Sequence, residues 1–326
     1  MEEGLRIDFS KGEGLVPVVV LDAVSGEVLM LGYADETALR LTLETGYAHF
    51  FSRSRRKVWM KGETSGNRVR VLRVVRDCDS DSLTYLGVAE GPVCHTGKYS
   101  CFYNTVMDRL VEEMWRHIVD AFRQAVITVR KGYGGLKDYV YIVNPLSDNI
   151  PPPNPLLQSL IATYLSSKIP GKIDKVVAPE ALGLPIASLI AQKLRAPLAV
   201  VRKRRFPVPG WEAPFTSGYE DGIHYIYGVR EGEKVVLADD TVSTGGAAIS
   251  IIEALEGRGV KVKAVVASMA KPQYGGVDLL AERGLPVWRA VDVYVSHEGS
   301  VRLVQPEAGW EATLKVTVRN FKDLQK

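Results

Sequence analysis

The sequence predicts two domains, the second an α/β fold on a mostly parallel sheet. Three observations carry this expectation. A chain of 326 residues at 46% hydrophobic can bury two cores. The residue pattern changes after Tyr103. From Leu156 onward, helical and strand-like segments alternate, which implies a parallel sheet covered by helices.

In chain order, Val71 to Val75 and Leu83 to Leu86 are β-favouring runs. Val106, Leu110, Met114, Ile118, Phe122 and Val126 then recur at near-helical spacing, so Thr105 to Arg130 reads as one or two amphipathic helices joining the domains. Lys131-Gly132-Tyr133-Gly134-Gly135 breaks that helix, and Asp138 to Val143 reads as a strand. The proline-rich Ile150 to Pro155 is a rigid turn. Helices follow over Leu156 to Ser167 and Leu184 to Leu194. Lys175 to Ala178, Leu198 to Val201, Val235 to Ala238 and Val262 to Ala267 read as strands. The expected boundaries are 1–105 and 106–326, with 106–130 as a helical connection. No internal repeat is visible.

All three cysteines fall in one window that also holds three alternating aspartates: Asp77-Cys78-Asp79-Ser80-Asp81, then Cys94-His95, then Cys101. Thiolates suit zinc and carboxylates suit magnesium. If Asp77 to Asp81 continues a strand, the three carboxylates share one face at roughly 6–7 Å spacing, and Cys78 faces the other way. An EF-hand would need Gly at Ser82 and Glu at Val88. A Walker loop fails because Gly91 to Lys98 is one residue too long and Tyr99 replaces Ser or Thr. Three cysteines are one ligand short of a closed structural zinc site and match the open, catalytic pattern; buried inert thiols are the competing reading. Nothing marks the chain as secreted, which argues against a disulfide.

This first part resembles phosphoribosyl-AMP cyclohydrolase of histidine biosynthesis. The likeness runs through Gly14 to Val20, Gly26 to Tyr33, His49 to Trp59, Lys61 to Asn67, the metal window and Ser100 to Tyr103. It implies a β-rich, dimeric α+β domain. It also implies zinc at Cys78, Cys94 and Cys101, shared between two subunits, and magnesium at Asp77, Asp79 and Asp81. The implied reaction is hydrolysis of the N1–C6 bond of phosphoribosyl-AMP. His95 would transfer protons, a task suited to a side chain that ordinarily titrates near neutrality. Its plainer alternative is to hydrogen-bond to a metal ligand and orient it. Arg53 and Arg55, placed on one side of a strand by alternation, and Lys61 are candidates for substrate phosphate. A solvated basic face is the alternative for Arg53 and Arg55.

A second motif is Val235-Val236-Leu237-Ala238-Asp239-Asp240-Thr241-Val242-Ser243-Thr244-Gly245-Gly246. An apolar strand delivers two acids, then a small-residue turn, then a helix through Glu256. Ligands in open α/β sheets bind at strand carboxyl ends, and small residues at a helix N-terminus cradle phosphate. This half is similar to the type I phosphoribosyltransferases, in particular archaeal purine enzymes. The likeness includes Val143-Asn144-Pro145, Val177 to Pro185, Val201 to Arg204 and Ser217-Gly218-Tyr219. It implies a Rossmann-like sheet with a small hood. Asp239 and Asp240 would hold ribose hydroxyls, with Asp240 in the catalytic set. The 5'-phosphate would lie on Thr241 to Gly246, including Ser243, Thr244 and Gly245. Glu180, Ala181, Arg202 and Lys203 would lie at the diphosphate, and magnesium would arrive with the sugar diphosphate. Phe206 to Gly222 would be a mobile loop that closes over the reaction. Thr216 departs from the resemblance, standing where an acidic residue is expected.

The function expected is therefore bifunctional: a cyclohydrolase joined to a purine phosphoribosyltransferase. The alternative is a cyclohydrolase with a non-catalytic, nucleotide-binding regulatory domain. Net charge of +3 suits small anionic substrates and gives little support to nucleic-acid binding. No apolar run approaches a membrane span, and the acidic Met1-Glu2-Glu3 lacks a signal-peptide core, so a cytoplasmic location is expected.

Overall fold

A computed structural model describes residues 7–133, 136–216 and 221–319. The chain divides into two units, the first ending at Asp108 and the second beginning at Arg109.

The first unit contains β1 (Val16–Asp22), β2 (Val28–Ala34), α1 (Glu36–Thr45), β3 (His49–Ser52), β4 (Lys57–Met60), β5 (Val69–Arg76) and β6 (Leu83–Ala89). Its main sheet has the order β2-β1-β6-β5, with β1 parallel to β6 and the outer pairs antiparallel. Strict alternation along β1 buries Val16, Val18 and Val20. These pack with Leu29, Phe50 and Tyr85 into one core. The helix α1 starts where Asp35 accepts from the Ala38 amide and stops at Gly46, which takes the left-handed φ of 72°. This is the β-rich α+β domain that the sequence predicts.

The second unit opens with α2 (Leu110–Phe122), β7 (Val126–Tyr133) and β8 (Leu136–Val143). The expected helix over Thr105 to Arg130 is thus confined to 110–122. Met114, Ile118 and Phe122 form its buried stripe at i, i+4, i+8. Val126 continues the helical spacing yet enters a strand, because β7 finds a ladder partner in β8. The expected break at Lys131 falls inside β7; Gly134 and Gly135 lie outside the described residues.

Next come α3 (Pro155–Lys168), β9 (Lys175–Pro179), α4 (Leu184–Leu194), β10 (Leu198–Val201), β11 (Trp211–Thr216), β12 (Asp221–Ile226), β13 (Lys234–Val242), α5 (Gly246–Glu256), β14 (Lys261–Ala270), α6 (Gly276–Glu282), β15 (Val287–Val295), β16 (Ser300–Val304), β17 (Glu311–Lys315) and β18 (Thr317–Val318). Asn154 caps α3 by accepting from the Leu156 amide, with Pro155 preset for the first turn. The large sheet runs β10-β9-β13-β14-β15-β16-β17. It is parallel from β10 through β15 and antiparallel beyond. This is the α/β sheet expected from the sequence. After β9 the chain goes to one side for β10 and to the other for β13. That reversal opens a crevice at their carboxyl ends. β18, β7 and β8 form a separate three-stranded sheet.

Among the described residues, no helix is long and apolar enough to cross a membrane. Phe122 is fully buried in the larger core. Phe122→Ala should destabilise the second unit by about 3–5 kcal/mol. The measurement is urea unfolding followed by circular dichroism, where the midpoint falls while the slope holds.

Candidate functional sites

In the first unit the aspartate window does not continue a strand. β5 ends at Arg76, and residues 77–82 reverse the chain into β6. Asp77 builds that reversal: one carboxylate oxygen accepts from the Asp81 amide at 3.0 Å and the Ser82 amide at 3.2 Å, the other from Ser82 Oγ at 2.7 Å. Ser80 adopts the left-handed φ of 63° that the turn needs. The Ser82 hydroxyl and these amides hold the Asp77 carboxyl down at about 2. Curling, rather than alternation, brings Asp77, Asp79 and Asp81 together, with one oxygen of each within 4.8 Å of the others. Lys11 lies against this cluster, its Nζ 2.6 Å from Asp79 and 3.1 Å from Asp81.

Cys94 and Cys101 meet in the loop after β6. Backbone bonds from Val93 to Tyr99 and from Cys94 to Lys98 tighten that loop. The Cys101 amide donates to Leu29 O at 2.8 Å and Ser100 Oγ to Val28 O at 2.7 Å, docking it on β2. The two thiols lie near enough to shift each other's acidity, and they split. Thr96 Oγ1 donates to Cys94 Sγ at 3.1 Å and pulls that thiol down, whereas burial and the charge of Cys94 push Cys101 up. Lys61 stands close enough for its charge to favour both thiolates, while its own burial lowers it. A residue expected at phosphate therefore faces the cysteines. His95 is exposed, its Nδ1 4.0 Å from Cys94 Sγ.

Cys78 sits exposed in the aspartate turn. Among the described residues, the aspartates are the only group of three candidate ligands gathered in one place, so Cys78 does not join the other two thiols within one chain. Three oxygen donors fit a hard cation, and two converging thiols fit part of a zinc sphere.

Arg53 and Arg55 occupy the turn between β3 and β4 rather than a strand, so alternation does not pair them. Both are exposed. The Arg53 guanidinium stacks 3.9 Å above the Tyr33 ring, which leaves its edge donors to solvent.

In the second unit a cavity of about 260 Å³ opens at the carboxyl ends of β9 and β13. Glu180, Ala181, Lys203, Asp239, Asp240 and the turn Thr241 to Gly246 all line it. Gly245 has φ +80° and leads into α5, whose first amides have no intrahelical acceptor. Gly183 must lack a side chain: a Cβ there would come within 2.6 Å of Asp239 Oδ1. Glu180 accepts from Arg202 Nη1 at 3.0 Å and from the Lys203 amide at 2.6 Å; against its own desolvation, these donors hold its carboxyl below the usual range. Arg202 thus clamps Glu180. Desolvation, then the neighbouring Asp240 charge, pushes Asp239 well up, and desolvation raises Asp240 as well. Such a crowded pair favours hydroxyl donors or a cation.

Two wall residues were not singled out by sequence reasoning. Lys271 follows β14 and is 2% exposed. Desolvation lowers it to about 8 despite Asp148 and Asp240 nearby. Asp148 is fixed by Ser147 Oγ, the Asn144 amide and a short bond from Tyr141 Oη. His224, on β12, is buried at the cavity wall. It is positioned by backbone pairing of Tyr225 with Arg202. The expected mobile loop Phe206 to Gly222 is in part this hairpin, with Trp211 opposite Ile226 and Thr216 opposite Asp221. Ser217, Gly218 and Tyr219 lie outside the described residues.

Comparison with known families matches residues 30–103 to Phosphoribosyl-AMP cyclohydrolase and residues 154–286 to Phosphoribosyl transferase domain. A phosphoribosyl-AMP cyclohydrolase of Archaeoglobus fulgidus is 58% identical over 91 residues, 28% of this chain and 84% of that protein. One from Listeria innocua is 53% identical over 102 residues, 31% of this chain and 95% of that protein. Among solved structures, adenine phosphoribosyltransferase of Thermoanaerobacter pseudethanolicus is 20% identical, covering 55% of this chain and 98% of its own, with a TM-score of 0.42.

Because Lys271 is held below its unfolded pKa near 10.5, folding opposes its charge. Between about pH 8 and 10.5 the unfolded chain binds the extra proton, so this destabilisation is full below about 8 and fades as pH rises. Lys271→Met should stabilise the ligand-free protein at pH 7 by up to roughly 3 kcal/mol. Thermal melts of both proteins should show that advantage shrinking by pH 10.

Proposed function

Because the chain belongs to the phosphoribosyl-AMP cyclohydrolase family, we propose that its first unit hydrolyses the N1–C6 bond of phosphoribosyl-AMP in histidine biosynthesis, and that its second transfers phosphoribosyl from phosphoribosyl diphosphate to a purine base. The observation that carries the first reading is the Cys94–Cys101 thiol pair beside Lys61 and His95.

Cys94 and Cys101 hold two positions of a zinc sphere, and Cys78 of a second copy of the chain supplies the third in a homodimer. Two features favour that arrangement. Cys78 lies apart from the other thiols within one chain, and Phe102, Tyr103, Val106 and Met107 beside Cys101 are exposed. These thiols would hold a zinc ion, whose contribution would be to make water ionisable near neutral pH for attack at C6. His95 takes the proton from the attacking water and returns it toward N1 as the C6–N1 bond breaks. Asp77, Asp79 and Asp81 hold magnesium. Arg53 and Arg55 take substrate phosphate, and Lys61 divides its charge between thiolates and substrate.

The cavity at the switch point of the second sheet carries the other reading. Asp239 and Asp240 receive the ribose hydroxyls, which replace the water whose loss raises both acids. The amides of Thr241 to Gly246 receive the 5'-phosphate, favoured by the α5 dipole. The diphosphate lies against Ala181 and Lys203, with Glu180 and Arg202 fixing that wall. Magnesium enters with the diphosphate, and the β11–β12 hairpin shields the reacting sugar from water.

Thr216 favours a second reading, in which the cavity binds phosphoribosyl diphosphate or a nucleotide without turnover and regulates the first unit.

Cys94→Ser should reduce cyclohydrolase turnover by more than about 100-fold and lower zinc content by elemental analysis, with nucleotide formation intact. Asp240→Asn should reduce nucleotide formation by about 100-fold with ring opening intact. If Asp240→Asn instead changes ring-opening kinetics only in the presence of phosphoribosyl diphosphate, the regulatory reading holds.

A further inference from the structure

The aspartate turn already holds a cation supplied by the chain itself. Lys11 Nζ is 2.6 Å from Asp79 Oδ2 and 3.1 Å from Asp81 Oδ2. Those are two of the three carboxylates gathered in the turn. Asp77, the third, spends its oxygens on the Asp81 amide and on the amide and hydroxyl of Ser82. The lysine therefore takes the two acids that the turn leaves without backbone donors of their own. Its ammonium is raised above its ordinary pKa first by Asp79 and then by Asp81.

The segment carrying Lys11 is fastened to the same turn. The Asp8 amide donates to Ser80 O at 2.7 Å, at the apex of the reversal. The Asp8 carboxylate accepts from the Ser10 amide at 3.0 Å and from Ser10 Oγ at 2.5 Å. That fixes the 3-10 turn Ser10–Gly12 from which Lys11 reaches across. The arrangement joins residues 68 and 70 positions apart in sequence.

An ammonium and a divalent ion cannot use these oxygens together. Magnesium demands oxygens at about 2.0–2.1 Å in octahedral geometry and would sit in the space that the lysine Nζ fills. The two cations would also repel at that range. The ion pairs are half-exposed, with side-chain exposures of 45% for Lys11, 56% for Asp79 and 34% for Asp81, so water competes for each partner. Exposed pairs of this kind are weak enough to be exchanged.

We propose that Lys11 is an exchangeable internal cation. It neutralises Asp79 and Asp81 in the metal-free protein, gives way to the divalent ion, and so sets the affinity of the turn for metal. The inference rests on the reading of Asp77, Asp79 and Asp81 as a magnesium site.

The test is manganese binding to the full-length protein, read as free Mn²⁺ by electron paramagnetic resonance. Asp79→Asn identifies the aspartate site as the one it removes. In the Lys11→Met protein that site should bind Mn²⁺ about 3- to 10-fold tighter than in the unaltered protein. Lys11→Arg should stay close to the unaltered protein. Hydrogen exchange gives a second readout: Mn²⁺ should speed exchange at Gly14 and Leu15, whose amides close the local turn, and should not do so in Asp79→Asn. Equal or weaker Mn²⁺ binding in Lys11→Met, with the Asp79-dependent site present, overturns the exchange while leaving the magnesium reading standing. Absence of any Asp79-dependent site in all three proteins overturns the magnesium reading and this inference with it.

Discussion

Both sites depend on one constraint: carboxylates that crowd together must be placed where the backbone has donors to spare. A strand interior has none, because its amides are committed to ladders. Strand ends and reversals do. Asp77 takes two amides of its own turn, and Glu180, just past the end of β9, accepts from the Lys203 amide. The chain then adds side-chain cations at the same places, Lys11 at one site and Arg202 at the other. Negative charge can therefore be concentrated without unfolding the turns that hold it.

The two units apply this in different architectures. In the first, a hairpin reversal between β5 and β6 gathers hard oxygen donors, while the following loop gathers soft thiols a short way along the chain. Hard and soft donors are thereby kept in separate loops of one unit. In the second, the sheet reversal between β9 and β13 makes a crevice, and the α5 N-terminus lines it with donors for phosphate. Both readings involve a 5'-phosphoribosyl compound, which gives the pairing of the two units a chemical logic.

Much of this was legible in the sequence wherever signal was local. The apolar run Val235 to Ala238, followed by Asp239-Asp240 and small residues, marks strand, turn and helix in the right order, although β13 runs on to Val242, and the Leu184–Leu194 helix falls at its predicted bounds. Three readings went astray for physical reasons. Alternation was extended through Asp77 to Asp81, where a left-handed Ser80 and the Asp77 hydrogen bonds turn the chain instead. It was extended through Arg53 and Arg55, where the β3–β4 pair needs a reversal. Helical spacing was carried through Val126, where pairing with β8 prevails over periodicity. Lys11, Lys271 and His224 were missed because their roles come from contacts distant in sequence. Lys271 alone left a local trace: a lysine directly after the apolar run Ala264 to Ala270, at the strand end where such sheets bind ligands.

The central claim is that one chain carries two catalytic sites for phosphoribosyl compounds. Its most direct test is to incubate the metal-loaded protein with phosphoribosyl diphosphate, magnesium and each purine base in turn, and to resolve nucleotides by chromatography. The account predicts a nucleotide from at least one base, together with ring opening of phosphoribosyl-AMP by the same preparation. No nucleotide from any base, with ring opening intact, would contradict it and leave the second unit as a binding domain.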